Sequence, residues 1–207
     1  MKVLIIGGGG REHAIAWKVS QSPKVDKLYC IPGNAGIGRL AECIDISLND
    51  HKTLAEFALT EEIDLTIVGP DDPLAAGIVD VFEERGLRVF GPRKKAAMIE
   101  SSKVFAKNLM KKYNIPTATY ETFNSSEKAI NYLRTSKYPI VLKADGLALG
   151  KGVLICKDYD EAVKGVKAIM EDKQFGEAGN HMVIEEYMTG PEVSVLAFCD
   201  GTHILPM

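Results

Sequence analysis

The stretch KVLIIGGGGREHAIAWKV, residues 2–19, joins a short apolar run to a helical pattern through four successive glycines. Residues 2–6 are mainly apolar and carry β-branched side chains, which is typical of a strand buried on both faces of a parallel sheet. Residues 11–19 are predicted as the following helix, with Ile15 and Val19 four positions apart. Glycines at this junction let the backbone approach a ligand, and the helix N-terminus attracts phosphate. The stretch therefore predicts an α/β fold with a phosphate-binding loop.

The same loop departs from the dinucleotide fingerprint G-x-G-x-x-G. Counting from Gly7 places Glu12 at the third glycine, and counting from Gly8 places His13 there. The next predicted strand runs into residues 32–34, Pro-Gly-Asn, where a ribose-binding carboxylate would be expected. A dehydrogenase is therefore disfavoured. A glycine turn without a ligand remains an alternative, although four glycines carry an entropic cost that packing alone does not require.

Strands and helices alternate through residue 90. Further strands are predicted at residues 28–31, 65–68 and 88–90. One helix between them is predicted to begin at Asn49 or Asp50, and a second carries the stripe Leu74, Ile78, Val81 and Phe82. This alternation predicts a doubly wound, mostly parallel sheet of the Rossmann-like kind.

The pattern changes after residue 92, where strand pairs with few intervening helices predict an α+β unit. Helices are predicted after Ser101-Ser102, at Asn124 with Glu127 three positions later, and at Asp158. Strands are predicted at residues 140–144, 153–156, 182–187, 192–199 and 202–205, the last two joined by a turn at 200–201. The boundary lies between residues 91 and 103, which gives domains 1–100 and 101–207.

The composition limits the classes of protein. The 207 residues are 46% hydrophobic and carry a net charge of -3 without a Lys/Arg cluster, which fits a globular protein and argues against nucleic-acid binding. The four cysteines are far apart and lack a CxxC pair, so buried reduced thiols are favoured over zinc ligands. The first apolar run is too short for a signal peptide or a membrane span. We therefore expect a cytoplasmic protein with no membrane partner.

A second motif, GPDDPL at residues 69–74, follows the predicted strand 65–68. Ligands of open α/β sheets bind outside the carboxyl ends of the strands, where the glycine loop and residues 32–34 also lie. The three loops are predicted to line one crevice. Asp71 and Asp72 could hold hydroxyls or an amine there, or Asp72 could cap the next helix.

A third motif, KADGLALGKG at residues 143–152, resembles a P-loop but does not fulfil its pattern. Only three residues separate Gly146 from Gly150, Gly152 stands where the hydroxyl is required, and a strand follows instead of a helix. Lysines at 143 and 151 are still suited to a triphosphate, as point charges on a glycine-rich hairpin. An ordinary solvated hairpin is the alternative.

A fourth motif is the predicted strand end Ile184–Met188, followed by Glu192. Such a segment can offer backbone groups to an adenine edge and a carboxylate to ribose hydroxyls. Taken alone the signal is weak, because acids at strand ends are usually just exposed.

Taken in order, these motifs resemble the glycinamide ribonucleotide synthetases, a family of ATP-grasp ligases. The resemblance departs at Asp71-Asp72, where the family usually has Glu-Ala, and at Leu149, where a second alanine is common. It rests on GGGGREHAIAW at 7–17, PGNAG at 32–36, GPDDPLAAGIVD at 69–80, FGP at 90–92, ESSKVFAK at 100–107, LKADGLALGKGV at 142–153 and VIEEYMTGPEVS at 183–194.

The resemblance implies a carbon–nitrogen ligase of purine biosynthesis. It would join glycine to 5-phosphoribosylamine through a glycyl phosphate, with cleavage of ATP to ADP and phosphate. No residue is assigned as a nucleophile or base, so the protein's task would be positioning and charge stabilisation.

The resemblance also implies two sets of site residues, with a nucleotide-covering subdomain at about residues 116–190. The substrate-binding residues would be Gly8, Gly9, Gly10, Arg11, Glu12, His13, Asn34, Pro70, Asp71 and Asp72. The ATP-binding residues would be Lys103, Lys143, Gly150, Lys151, Gly152, Glu185, Glu186, Tyr187, Met188 and Glu192.

Members of this family continue for about as many residues again. The ligands of Mg²⁺ or Mn²⁺ are therefore expected beyond Met207, with no metal ligand in this chain. We expect this chain alone to have negligible ligase activity and the full-length protein to be a monomer. A non-catalytic nucleotide-binding module of the same fold is the alternative.

Overall fold

A computed structural model describes residues 1–147 and 152–207 of the chain. The first half contains a parallel sheet of five strands, β1 Lys2–Gly7, β2 Lys27–Pro32, β3 Glu42–Cys43, β4 Leu65–Val68 and β5 Val89–Phe90. Their order is β3-β2-β1-β4-β5, so β1 is the central strand. The predicted doubly wound α/β fold is confirmed.

Helices cover both faces of this sheet because β1 is apolar on both sides. The helices of the first half are α1 Gly10–Ser20, α2 His51–Thr60, α3 Asp71–Ala76 and α4 Ile78–Glu84. Leu4 and Ile6 pack with Leu54 of α2 and Phe82 of α4. Val3 and Ile5 point the other way and pack with Ala16 of α1. Alternate side chains of one strand thus contribute to two cores.

The apolar stripe from Leu74 to Phe82 belongs to two helices, not to one. Gly77 between them has φ 98°, a left-handed conformation that an L side chain rarely adopts. The α-helical ladder is therefore interrupted, although the stripe continues. In the neighbouring helix α2, Asp50 is the N-cap, and its side chain accepts a hydrogen bond from the Thr53 N–H.

The second half is built on an antiparallel sheet. Its strands are β6 Tyr120–Phe123, β7 Ile140–Ala144, β8 Val153–Cys156 and β9 Met182–Glu186, in the order β6-β9-β7-β8. Its helices, preceded by α5 Lys94–Ser101, are α6 Lys103–Lys112, α7 Ser126–Leu133 and α8 Tyr159–Met170. A separate core joins Leu133 of α7 and Val166 of α8 to Leu142 of β7.

Several details of the second half differ from the prediction, including β6, which was not predicted. Ser125, not Asn124, caps α7, and its hydroxyl accepts a hydrogen bond from the Lys128 N–H. Of the strand predicted at 192–199, only β10 Ala197–Cys199 forms, and it pairs with β11 Ile204–Pro206 across residues 200–203.

The β10–β11 hairpin carries exposed apolar side chains, with Phe198 in edge-to-face contact with Phe90 at 6.3 Å between ring centroids.

In residues 1–147 and 152–207, no helix is both long enough and apolar enough to cross a membrane.

Candidate functional site

The glycine loop, residues 7–10, is shaped around the buried side chain of Glu12. The carboxylate Oε2 of Glu12 accepts a hydrogen bond from the Gly9 N–H at 2.6 Å. A Cβ atom on Gly7 would lie 2.6 Å from Glu12 Cγ, and one on Gly69 would clash with the same carboxylate. Glycines at both positions therefore make the room in which Glu12 packs between the ends of β1 and β4.

Arg11 joins the glycine loop to the acidic turn that follows β4. Its guanidinium donates a hydrogen bond to the Gly69 carbonyl at 2.7 Å and pairs with Asp71 at 3.2 Å. Both side chains of this ion pair are about half exposed, so it positions the turn more than it stabilises the fold.

Asn34 joins the loop after β2 to the same glycines. Its side-chain amide donates to the Gly8 carbonyl at 2.8 Å, and its oxygen accepts from the N–H groups of Gly36 and Ile37. The His13 ring lies beside Gly36, where a Cβ atom would be 2.5 Å from His13 Cε1. The loops after three neighbouring strands thus lie side by side at the carboxyl edge of the sheet.

A first cavity of about 510 Å³ opens over this edge. Seven of the ten substrate-binding residues predicted from the sequence line it, and Gly8, His13 and Asn34 do not. The described residues that line it are Gly9, Gly10, Arg11, Glu12, Pro70, Asp71, Asp72, Glu100, Lys103, Gly146 and Leu147.

A second cavity of about 180 Å³ lies next to the first, and Glu100 and Lys103 line both. Two further lysines, Lys107 and Lys143, face it. Ile99, Ala106, Met110 and Val183 supply apolar walls. The second cavity is therefore a mainly positive recess with an apolar lining.

Glu185 is the buried acid beside this recess, and each of its carboxylate oxygens faces one lysine. Oε2 lies 2.5 Å from Lys107 Nζ, as an ion pair and not as an aligned hydrogen bond, and Oε1 pairs with Lys143. Lys107 is a site residue that the sequence reasoning missed. The available signal was its position four residues after Lys103, which puts both lysines on one face of α6.

The N-terminus of α6 is fastened to the loop that follows β7. The Asp145 carboxylate accepts hydrogen bonds from the Ser102 hydroxyl and from the Val104 N–H, each at 3.1 Å. Lys103 Nζ donates to the Gly146 carbonyl at 2.8 Å. Gly150 and Lys151 lie outside the described residues, and Gly152 is buried, with its carbonyl accepting from the Ala144 N–H.

The remaining predicted nucleotide ligands lie along and after the end of β9. The Glu186 carboxylate accepts a hydrogen bond from the Thr119 N–H at 2.9 Å. Tyr187, Met188 and Glu192 are exposed. Of the four residues predicted to hold adenine, Glu185 alone is buried.

Within residues 1–147 and 152–207, no group of three or more His, Cys, Asp or Glu side chains is placed to hold a metal ion. The described residues therefore do not form a metal site made of three or more such side chains. All four cysteines are free thiols.

Two family models match the chain. One is described as Phosphoribosylglycinamide synthetase, N domain, and matches residues 1–100. The other is described as Phosphoribosylglycinamide synthetase, ATP-grasp (A) domain, and matches residues 101–207.

Curated relatives are similar along the whole chain. Phosphoribosylamine–glycine ligase of Caldanaerobacter subterraneus subsp. tengcongensis is 54% identical over 207 residues, which are 100% of this chain and 50% of the relative. The ligase of Halalkalibacterium halodurans is 52% identical, with 100% and 48% covered. The chain spans about half the length of the curated relatives it matches.

Solved structures show the same architecture. The crystal structure of phosphoribosylamine–glycine ligase from Thermotoga maritima has a TM-score of 0.82 and 31% identity, covering 100% of this chain and 49% of that one. The N5-carboxyaminoimidazole ribonucleotide synthetase of Thermus thermophilus has a TM-score of 0.66 and 20% identity, covering 90% and 47%, which is a likeness of fold alone.

Proposed function

The chain belongs to the phosphoribosylglycinamide synthetase family, and on that premise we propose that the protein joins glycine to 5-phosphoribosylamine, with cleavage of ATP to ADP and phosphate. The observation that carries the proposal is the pair of neighbouring cavities that share Glu100 and Lys103. One is lined by a glycine loop and acids, and the other by lysines. This arrangement suits two phosphorylated ligands whose reacting ends meet at the shared wall.

The first cavity is proposed to bind 5-phosphoribosylamine. Its phosphate would lie at the N-terminus of α1, where the first N–H groups of a helix have no intrahelical partner and the helix dipole favours an anion. The Gly9 N–H is already bonded to Glu12, so the N–H groups that follow it are the donors for the phosphate. Asp71 and Asp72, which line the same cavity, would hold the amine or the hydroxyls. Gly8, His13 and Asn34 would support the loop from outside the cavity.

The second cavity is proposed to take the ATP phosphates. Lys103 and Lys143 supply positive charge there, and lysines serve phosphates as mobile point charges. Lys151, with Gly150 and Gly152 beside it, is proposed as a further phosphate contact. The adenine would lie along residues 185–188 and the ribose beside Glu192.

The chemistry proposed needs no covalent bond to the protein. A glycine carboxylate oxygen attacks the γ-phosphorus of ATP, which gives glycyl phosphate and releases ADP. The sugar's amine then attacks the acyl carbon, and phosphate leaves as the amine gives up a proton. Positioning of the reactants and stabilisation of the developing charge would supply the catalysis, and we propose that Lys103 at the shared wall contributes to both. We also propose Mg²⁺ or Mn²⁺, with protein ligands outside the described residues, among which no group of three or more His, Cys, Asp or Glu side chains is placed to hold a metal ion.

The proposal is tested in a hybrid protein in which this chain replaces the matching region of the Caldanaerobacter ligase. We expect ADP formation that requires both glycine and 5-phosphoribosylamine, and a loss of most of that activity in the matched hybrid that carries Lys103→Gln. We expect negligible ADP formation by the 207-residue chain alone. A hybrid that binds ADP but forms none from ATP would instead support a non-catalytic nucleotide-binding module.

Three further properties are proposed for the protein. The chain divides near residue 100 into a substrate-binding domain and part of an ATP-grasp domain, with the nucleotide-covering subdomain at about 116–190. The protein is cytoplasmic, which the four free thiols support, because disulfides are rare in that compartment. The full-length protein is a monomer, and light scattering of the hybrid would measure this.

A further inference from the structure

Glu185 is held by two lysines that differ in how firmly they are fixed. Its side chain is 6% exposed, and the side chains of Lys107 and Lys143 are 12% and 28% exposed. A buried carboxylate is costly unless its charge is compensated, so at least one of these ion pairs must persist in every state of the site.

Lys107 has contacts on several sides. Besides its ion pair with Glu185, its ammonium donates a hydrogen bond to the Thr117 hydroxyl at 2.8 Å. It also lies 5.4 Å from the centre of the Tyr120 ring, within cation–π range. These partners come from β9, β6 and the segment before β6, so the Lys107 ammonium is fixed from three directions.

Lys143 is held less firmly. It is the more exposed of the two lysines, it pairs with Glu185, and it faces the second cavity. An anion that enters this cavity therefore competes with Glu185 for the Lys143 ammonium.

We propose that Lys107 is the fixed counterion of Glu185, a positioning residue that compensates this buried carboxylate when Lys143 turns to a nucleotide phosphate. The inference rests on the proposed nucleotide site. With Lys107 in place, the transfer of Lys143 from the carboxylate to the phosphate leaves no buried charge unpaired. Without Lys107, the same transfer would leave Glu185 alone, so Lys143 would be retained and the nucleotide would bind less tightly.

The test is the dissociation constant of ADP, measured by calorimetry in the 207-residue chain and in the hybrid protein. Lys107→Gln is expected to weaken ADP binding by about tenfold or more. In this variant, Glu185 would be left buried without a counterion whenever Lys143 turns to the ADP phosphates. Lys107→Arg, which keeps the charge, is expected to restore most of the affinity. Lys112→Gln on the same helix, where the ammonium lies over the Tyr113 ring, is the matched control and should leave the affinity unchanged.

A double-mutant cycle separates this role from a merely structural one. In a Glu185→Gln background the buried charge is gone, so Lys107→Gln should change the affinity for ADP less than about twofold. Thermal unfolding without nucleotide shows whether each variant is folded, and the double variant lacks the buried carboxylate that Lys107→Gln alone leaves with one lysine.

The outcomes are distinct. An unchanged dissociation constant in Lys107→Gln would overturn the inference while the proposed function stands. An equal loss of affinity in both backgrounds would overturn it as well, because Lys107 would then act on the nucleotide without Glu185. Absence of ADP binding in both unaltered proteins would overturn the proposed function and this inference with it.

Discussion

Gly8 illustrates how little space the glycine loop leaves for side chains. A Cβ atom at this position would lie 2.5 Å from the carbonyl oxygen of Gly33, which is part of the backbone after β2. That backbone is held in place, since the Gly33 N–H donates a hydrogen bond to the Gly7 carbonyl. At Gly10, two residues later, nothing lies within 4 Å of a Cβ atom.

Gly8→Ala and Gly10→Ala are therefore expected to behave differently although the change is the same. Gly8→Ala should lower the free energy of unfolding by about 1–3 kcal/mol, the usual cost of forcing atoms into a packed region. Gly10→Ala, at the first residue of α1, should stay within about 0.5 kcal/mol of the unaltered chain. Urea denaturation measures both. Equal values for the two variants would contradict the close approach of Gly8 to Gly33.

Glu12 shows that a residue's position in the sequence does not determine which contacts its side chain makes. Its place in the loop predicted a substrate contact, and it does line the first cavity. Its carboxylate is nevertheless engaged by the Gly9 N–H and packed against Gly7 and Gly69. The contact with Gly69 comes from the segment after β4, about 60 residues away, which local spacing does not encode.

At the scale of elements, α6 and the loop after β7 meet through the N-cap of the helix. The Ser102 hydroxyl accepts a hydrogen bond from the Phe105 N–H and donates to the Asp145 carboxylate. Ser125 has the same capping role at α7. The two serines therefore form a natural comparison.

Ser102→Ala and Ser125→Ala are each expected to lower the free energy of unfolding by about 1 kcal/mol, because each helix loses its N-cap. Ser102→Ala alone should also weaken ADP binding, by a few-fold, because it removes a partner of Asp145 at the start of the loop that carries Lys151. Urea denaturation and ADP titration measure the two effects. A similar weakening of ADP binding in Ser125→Ala would show that general stability, not the link to Asp145, is responsible.

Most elements could be predicted from the sequence where a strong local pattern coincided with burial. The bounds predicted for β7 and β8 are those of the structure, and Asp158 caps α8 as predicted. The strand β3 was missed because two residues show no periodicity. The helix α5 was missed too, and only Ala97 of it is buried, so it has no apolar stripe to recognise.

Two elements were predicted wrongly for physical reasons. The stripe across Gly77 reports which side chains face the core, and it carries no information on the left-handed backbone between two helices. The strand predicted at 192–199 begins with alternating polar and apolar residues, but Val193 and Val195 are among the most exposed large apolar side chains described. Alternation predicts a strand only where a pairing edge and a covering layer are present.

The candidate site also contains residues that could be predicted from the sequence and one that could not. The glycine loop and the acidic turn are readable as motifs, because each follows a strand that ends at one edge of a sheet. No sequence motif indicates a role for Lys107. Its role depends on contact between α6 and β9, elements about 80 residues apart in the sequence.

At the scale of the whole molecule, two buried thiols make the stability of the fold sensitive to alkaline pH. Burial raises the pKa of Cys30 to about 12 and that of Cys156 to about 11. Cys30 lies in the parallel sheet and Cys156 in the antiparallel one, so both halves contain such a group. In the unfolded chain a thiol ionises near pH 8.5.

The sign follows from proton linkage. Above about pH 8.5 the unfolded chain releases thiol protons that the folded chain retains, so the free energy of unfolding falls as pH rises. The stabilisation is fully present below that pH and is lost progressively towards pH 11–12. Each thiol contributes at most about 1.4 kcal/mol per pH unit in this window.

Urea denaturation between pH 8 and 10.5 measures this slope. Cys30→Ala is expected to reduce it, and Cys43→Ala, at an exposed position of the neighbouring strand, serves as the control. A slope that is the same in Cys30→Ala and in the unaltered chain would contradict the contribution of the buried thiol.

The shared wall of the two cavities has a consequence for how the binding of one ligand affects the binding of the other. A ligand that settles against Lys103 from one cavity changes the field and the freedom of that ammonium in the other. The two binding free energies are then linked, and such linkage is reciprocal, so each ligand changes the other's affinity by the same factor. Lys103 in the shared wall would thus make the binding of the two ligands cooperative without any movement of the two sheets.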